Sequence, residues 1–321
     1  MSAGAHDIAE ILVKVLVCPR THAPLTARDG VLHERQSGAT YSANEHGYFD
    51  FTLNPEFYEM ESTSEEYAEE QQSSWRRFYD EFLKPWLDRE GGRRVLEVGC
   101  GLGLGIRYFA EDGYEAFGLD IPCLAKFWAK AGNDPRCFVN GDGAAMPFPD
   151  GFFDAVYTLG TIEHIGTKVG HYTLADNYQD TRRAFARELV RVTKPGGRIL
   201  VTCPNKSFPI DIHHEPTDAA TPAGTMRFRR YFFDRFGMTL HKPYGAYHLF
   251  SFGELRRLFC ADAGAAAAEA LPLRHYFAFK RTGSLGLLRA FKNLIVMYIE
   301  GMPPLLRRSC FNPFLVVEIR R

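Results

Sequence analysis

The chain has 321 residues, of which 45% are hydrophobic, and a formal net charge of −1, which is room for one large domain with a full core and a smaller unit beside it. This near-balance excludes a committed nucleic-acid binder, which concentrates basic residues on one face, and no apolar run approaches the roughly 20 residues of a membrane span, so membrane contact is at most peripheral. The seven cysteines (Cys18, Cys100, Cys123, Cys137, Cys203, Cys260 and Cys310) are scattered, odd in number and form no C-x-x-C pair. With no secretory leader pattern, the expectation is a cytoplasmic protein with reduced thiols. Charge is uneven: residues 204–321 hold 17 Lys/Arg against 9 Asp/Glu, and residues 1–203 hold 21 against 30. Such asymmetry suits either a surface for an anionic partner or a solvated face.

Residues 1–54 read as a small β-rich subdomain. Cys18-Pro19 followed by Pro24-Leu25 resembles the first knuckle of the small zinc-ribbon proteins that bind and stabilise some RNA and protein methyltransferases. Thr21 stands where that frame has its second Cys, and Glu34 and Ser37 stand where the second knuckle has both of its own. A structural zinc site takes four ligands, usually Cys and His. With three positions lost, and with His22, His33 and His46 at no standard knuckle spacing, the expectation is a metal-free relic held by its apolar residues. Residues 55–92 follow as a helical linker, with Trp75, Phe78, Tyr79, Phe82 and Trp86 at helical spacing. Most of these are expected to pack, with Trp75 or Tyr79 as candidates to face a ligand.

The third unit, 93–321, opens on a βαβ pattern. Arg94 to Val98 is a short apolar run with Glu97 inside it, suiting a buried parallel strand. Gly99, Gly101, Gly103 and Gly105 follow at a tight turn, and Ile106 to Ala110 continues as a helix whose N-terminus favours a carboxylate. A second strand, Ala116 to Leu119, ends on Asp120, nineteen residues after Gly101, where an acidic side chain can accept from ribose hydroxyls. A dinucleotide fingerprint needs G-x-G-x-x-G. Here the third position is Leu104 or Ile106, and the pattern is E-x-G-x-G-x-G starting at Glu97. In these residues the chain resembles class I S-adenosylmethionine-dependent methyltransferases, in the broad group that includes quinone-biosynthesis and natural-product enzymes.

The following segments match that family in order. Cys137 to Asn140 reads as a third strand, leading to Asp142, Gly143 and Ala144; Phe153 to Leu159 is the fourth, ending in Thr161-Ile162-Glu163-His164. Arg182 to Val192 is an amphipathic helix, stopped by Lys194-Pro195-Gly196-Gly197, and Arg198 to Cys203 is the next strand. The resemblance implies an α/β, Rossmann-like seven-stranded sheet with helices on both faces, and S-adenosylmethionine as cofactor. It implies Glu97, Gly99, Cys100, Gly101 and Gly103 around the ammonium and sulfonium end, Asp120 and Ile121 at the ribose, Asp142, Gly143 and Ala144 at the adenine, and Leu159 on the same wall. No resident metal is expected.

Three segments exceed the minimal fold. Residues 166–177 carry His171 and Tyr172; residues 204–247 form a long region rich in His, Arg and aromatics, the kind that is usually a lid; and Leu285 to Ile299 reads as a largely apolar helix before a last strand at Pro313 to Ile319. A Phe252 to Leu258 helix and a Leu271 to Phe279 strand complete the pattern. Methyl transfer needs alignment, exclusion of water and removal of any acceptor proton. Glu163, His164, His171, His213 and His214 are the candidate bases, Glu163 first. The implied activity is methylation of a small-molecule or lipid-like acceptor, at oxygen first, with carbon and nitrogen open. C-methylation of a prenyl diphosphate, aided by Mg2+, RNA or protein methylation, and a non-catalytic scaffold stand as alternatives.

Overall fold

The computed structural model describes residues 3–58, 75–168, 173–212, 214–216, 223–277 and 286–321. At its centre lies an eight-stranded sheet. In chain order its strands are β4 (Phe49–Asp50), β5 (Arg94–Val98), β6 (Glu115–Asp120), β7 (Phe138–Asn140), β8 (Phe153–Leu159), β9 (Thr193–Pro204), β12 (Ala267–Ala270) and β13 (Phe314–Arg320). Their spatial order is β12-β13-β9-β8-β5-β6-β7-β4. All neighbours run parallel except β13, which is antiparallel to both β9 and β12. β6 and β8 flank β5, so the chain's order reverses there. In an open α/β sheet that crevice, outside the carboxyl ends of the strands, is where ligands bind.

Side chains alternate across the strands as the period of two requires. Leu96, Val98, Val156, Ile199, Val201, Leu315 and Val317 pack into one face with the helix Tyr178–Val192. Val95, Ala155, Tyr157, Leu200 and Val316 pack into the other, against residues 75–88 and the helix Leu104–Glu111. Residues 75–88 are one continuous helical stretch, widened to a π-turn at Tyr79–Leu83. Trp86 there donates to the buried Glu318 carboxylate at 2.7 Å, and Arg198 stands beside both.

Six of the eight strands stand where the expected sheet has them, β12 takes the place of the seventh, and the eighth comes from the N-terminal unit. β4 pairs in parallel with β7, Phe49 opposite Val139. Ahead of it, β1 (Leu25–Arg28), β2 (Val31–Glu34) and β3 (Thr40–Tyr41) form a small antiparallel sheet. Cys18, Leu32, Tyr41 and Phe51 share one continuous core with Phe148 and Phe185 of the large domain. The four knuckle positions are occupied by hydrogen bonds. The Cys18 thiol meets the Tyr41 hydroxyl at 3.1 Å. The Glu34 carboxylate accepts from the amides of Gln36 and Ser37 and from the Ser37 hydroxyl, which closes that turn.

Four expectations need correction. The Lys194–Gly197 segment does not separate helix from strand: β9 begins at Thr193, directly after the helix, and takes up the prolyl-glycyl stretch as a register shift against β8 between Phe153 and Ala155. No strand runs from Leu271 through the described Phe277. The strand is β12, because the alanine-rich 267–270 segment lies along the edge of β13, whereas Leu271 and Leu273 are apolar for core packing. The helix beginning at Phe252 continues to Asp262, started by a capping box of Ser251 and Glu254. Residues 204–247 are not one long loop: they hold β10 (Ile210–Asp211), a helix Ala223–Phe236, and β11 (Thr239–Leu240) paired with β10.

Candidate methyl-donor and acceptor site

The glycine turn is folded by its own backbone. The amides of Gly99 and Cys100 donate to the Leu119 carbonyl, and that of Gly103 to the Cys100 carbonyl at 2.8 Å. Gly103 caps the following helix with φ +73°, a left-handed conformation that favours glycine. A β-carbon there would also fall 2.4 Å from the Phe138 ring. Gly101 differs: at φ +52° it has open space where a side chain would be, so the turn presents a bare backbone face beside Asp120.

Asp120 is fixed by that turn. Its Oδ2 accepts from the Gly101 amide at 2.6 Å and its Oδ1 from the Ile121 amide at 2.8 Å. Burial pushes its carboxyl up to about 6, against the pull of those two amides. Both oxygens retain lone pairs, which is the acceptor set two vicinal hydroxyls need. Asp142 closes the next turn, taking the Ala144 amide on Oδ1 at 2.8 Å, and burial raises its carboxyl as well. A side chain at Gly143 would run into Phe185 and Val98. The Cys100 thiol packs beneath the turn against Gly118, so its backbone alone is on the ligand side.

Glu97 lies on the face covered by residues 75–88. It is buried, accepts from the Tyr157 hydroxyl at 2.9 Å, and desolvation holds its carboxyl well above the usual range. A cation arriving there would restore its charge and fill its open acceptor positions. Trp75 borders this spot, with its ring 3.0 Å from where a Gly105 side chain would start. Tyr79 does not: its hydroxyl donates to Asp112, and its ring packs on Phe109. A buried carboxyl raised by desolvation, an anchored aspartate and a bare glycine face together fit an amino-acid-bearing nucleoside.

Beyond β8, Leu159 is half-buried and Gly160 and Thr161 lead into a short 3-10 turn, Ile162–His164. Thr161 fits against Gly99, where any side chain would collide with it. Glu163 is 2% exposed, its Oε2 has no hydrogen-bond partner among the described residues, and burial lifts its carboxyl to about 7. His214 reaches the same place from the region after β10. Its Nδ1 lies 2.7 Å from Asp211 Oδ2, and its ring meets that of His164 edge-on at 5.7 Å. His171 and His213 lie outside the described residues, as does Tyr172.

Sequence reasoning missed Arg182. Its guanidinium is buried, which brings it down to about 10, and it donates to the carbonyls of Ile165, Tyr247 and His248 while lying over Phe250. It ties the turn carrying Glu163 to the returning 247–250 segment. No local signal distinguished it from the other arginines of its amphipathic helix.

Residues 96–201 match the model of a family described as a methyltransferase domain. Over 119 residues, 34% of this chain and 28% of the relative, the chain is 34% identical to a probable chloroplastic tocopherol O-methyltransferase of Oryza sativa. Over 137 residues it is 33% identical to a probable S-adenosylmethionine-dependent methyltransferase of Mycolicibacterium smegmatis, covering 42% of this chain and 48% of that one. The chain thus spans between a quarter and a half of the length of these two relatives. A methyltransferase of Mesorhizobium loti of solved structure superposes with a TM-score of 0.43 at 17% identity, over 77% of this chain and 97% of its own. The family match thus marks residues 96–201, about a third of the chain, as a methyltransferase domain, on the segment that carries the glycine turn and strands β5 to β8.

Proposed function

We propose that the protein transfers a methyl group from S-adenosylmethionine to a small-molecule or lipid-like acceptor, at oxygen in the first instance. The observation that carries this reading is Asp120, held by two backbone amides beside the open face of Gly101, with the buried Glu97 carboxylate at the other end of the same turn. Asp120 would take the ribose hydroxyls, Glu97 the ammonium, and the Asp142-Gly143-Ala144 turn the adenine edge. When bound, the donor supplies an activated methyl on a sulfonium. The chain's own work is to hold the acceptor in line, exclude water and remove a proton. Glu163 sits at the end of β8 with an unpartnered oxygen, placed to take the proton of an acceptor hydroxyl. Relatives named for tocopherol, malonyl-[acyl-carrier protein] and phosphoethanolamine support a small or lipid-like acceptor.

The donor half is tested by calorimetry with S-adenosylhomocysteine. Charge-assisted hydrogen bonds contribute about 1.5–3 kcal/mol, so Asp120→Ala should weaken binding roughly 10- to 100-fold. Hydroxyls donate to the ionised carboxylate, so binding is coupled to loss of the Asp120 proton. The Asp120 contribution to affinity should therefore be complete above the carboxyl's value of about 6 and be lost as pH drops through it. Glu97, whose carboxyl burial also raises, ionises only with the ammonium beside it, so the profile is repeated in Glu97→Gln, where the Asp120 step should remain. Unchanged affinity in the variant would remove Asp120 from the donor site. The acceptor half is tested by following S-adenosylhomocysteine release across a panel of phenols, prenylated quinols and carboxylates; no turnover on any would favour a binding subunit instead.

A further inference from the structure

We infer that Glu163, His164 and His214 form a binding site for a divalent transition ion of the zinc type, on the acceptor side of the mouth. One ligand atom from each lies within 4.8 Å of the others. Glu163 and His214 are buried and His164 is exposed, so the set is walled on one side and open on the other. Two imidazoles and one carboxylate are a donor set for zinc that leaves a position for water or substrate, and also suit iron and its neighbours. Ligands of one tetrahedral zinc stand roughly 3.3 Å apart, given bonds near 2.0 Å, so small side-chain rotations complete the shell.

Two observations carry the assignment beyond proximity. The first is the Glu163 carboxylate, 2% exposed with Oε2 unpartnered. A buried polar atom left so costs about 1–3 kcal/mol, and an ion would satisfy it. The second is the 2.7 Å contact of Asp211 with His214 Nδ1. With that nitrogen carrying the proton, Nε2 is the nitrogen that would ligate, and a carboxylate behind the imidazole is the support that metal-bound histidines take. Asp211, His214 and His248 also converge, but that group is wholly buried and uses the carboxylate already bonded to His214, so the open triad is the site. Ligation by one oxygen leaves the other Glu163 oxygen facing an acceptor, and the ion would hold an oxygen or nitrogen of that acceptor beside it.

The site stands or falls independently of methyl transfer, because it is read as metal content with no donor present. Untagged full-length protein, purified without chelator, should carry about one zinc per chain by mass spectrometry of the metal. Chelator-stripped protein should take up Zn2+ by calorimetry and develop the visible bands of few-coordinate Co2+. His164→Ala removes an exposed ligand without disturbing the core, and should abolish uptake while leaving the thermal transition unchanged. Asp211→Asn should weaken uptake roughly 10- to 100-fold. Cys18→Ser should change nothing. Failure of the folded, stripped protein to take up Zn2+, Co2+ or Mn2+ overturns the site, as does uptake that survives His164→Ala or is lost with Cys18→Ser. S-adenosylhomocysteine binding, measured on the same stripped sample, reports separately on the donor reading.

Discussion

Glu163→Gln is expected to lower turnover by about 10²–10⁴, the usual loss when a general base is removed, while S-adenosylhomocysteine binds as in the parent. The substitution keeps the side chain's size and one carbonyl oxygen, so the 3-10 turn and its contacts persist. What disappears is the carboxylate proposed to take the proton. With no ion bound, the carboxylate is well suited to that work because burial raises it to about 7, with Asp211 adding to the rise and His214 and Arg182 opposing it. A carboxyl near neutrality is basic enough to accept a proton and still ionised in a large part of the molecules. Single-turnover measurements with an acceptor that passes the screen separate this step from product release. Retention of more than a tenth of the turnover would remove Glu163 from proton transfer and leave it a role in shape or ligation.

Gly103→Ala should disable the donor site by a different route. The residue sits at φ +73°, which costs a side-chain-bearing residue roughly 1–3 kcal/mol. Its new β-carbon would stand 2.4 Å from the Phe138 ring. That ring cannot swing aside freely, being wedged against Trp128 and Tyr48, so relief needs backbone movement at about 1–3 kcal/mol more. The turn itself must shift, and with it the Gly101 amide that holds Asp120. Loss of about 2–6 kcal/mol in denaturant unfolding is expected, together with at least tenfold weaker donor binding. Gly113→Ala, equally at positive φ but with open space around it, is the matched control: it should show the backbone cost without the loss of affinity. Parity of the two variants would mean that the Phe138 contact is unimportant.

Local signals in this chain were strong wherever backbone geometry dictates residue type. The glycine spacing after an apolar strand, the aspartate nineteen residues on and the alternation in β8 and β13 each reflect a constraint felt within a few residues, and the strands at Arg94–Val98 and Phe153–Leu159 stand where that pattern puts them. The Ala267–Ala270 strand was illegible because alanine, a good helix former, is extended there only by the edge of β13 that it lies along. The helix within residues 204–247 was masked by an aromatic and basic composition that suits a lid as well as a helix.

The βαβ frame, the glycine turn and the carboxylates beside it, Glu97, Asp120 and Asp142, were legible in the sequence, because a positive-φ turn and a strand-end carboxylate are local requirements. Only the tertiary structure decided that Phe49–Asp50 joins the large sheet, that Arg182 ties the mouth to residues 247–250, and that Glu163, His164, His214 and Asp211 converge. Those are pairings between residues about 47 to 90 positions apart, and no periodicity encodes them. They follow from which faces are left to bury once the sheet has formed, and from which side chains the parallel strands deliver to one end.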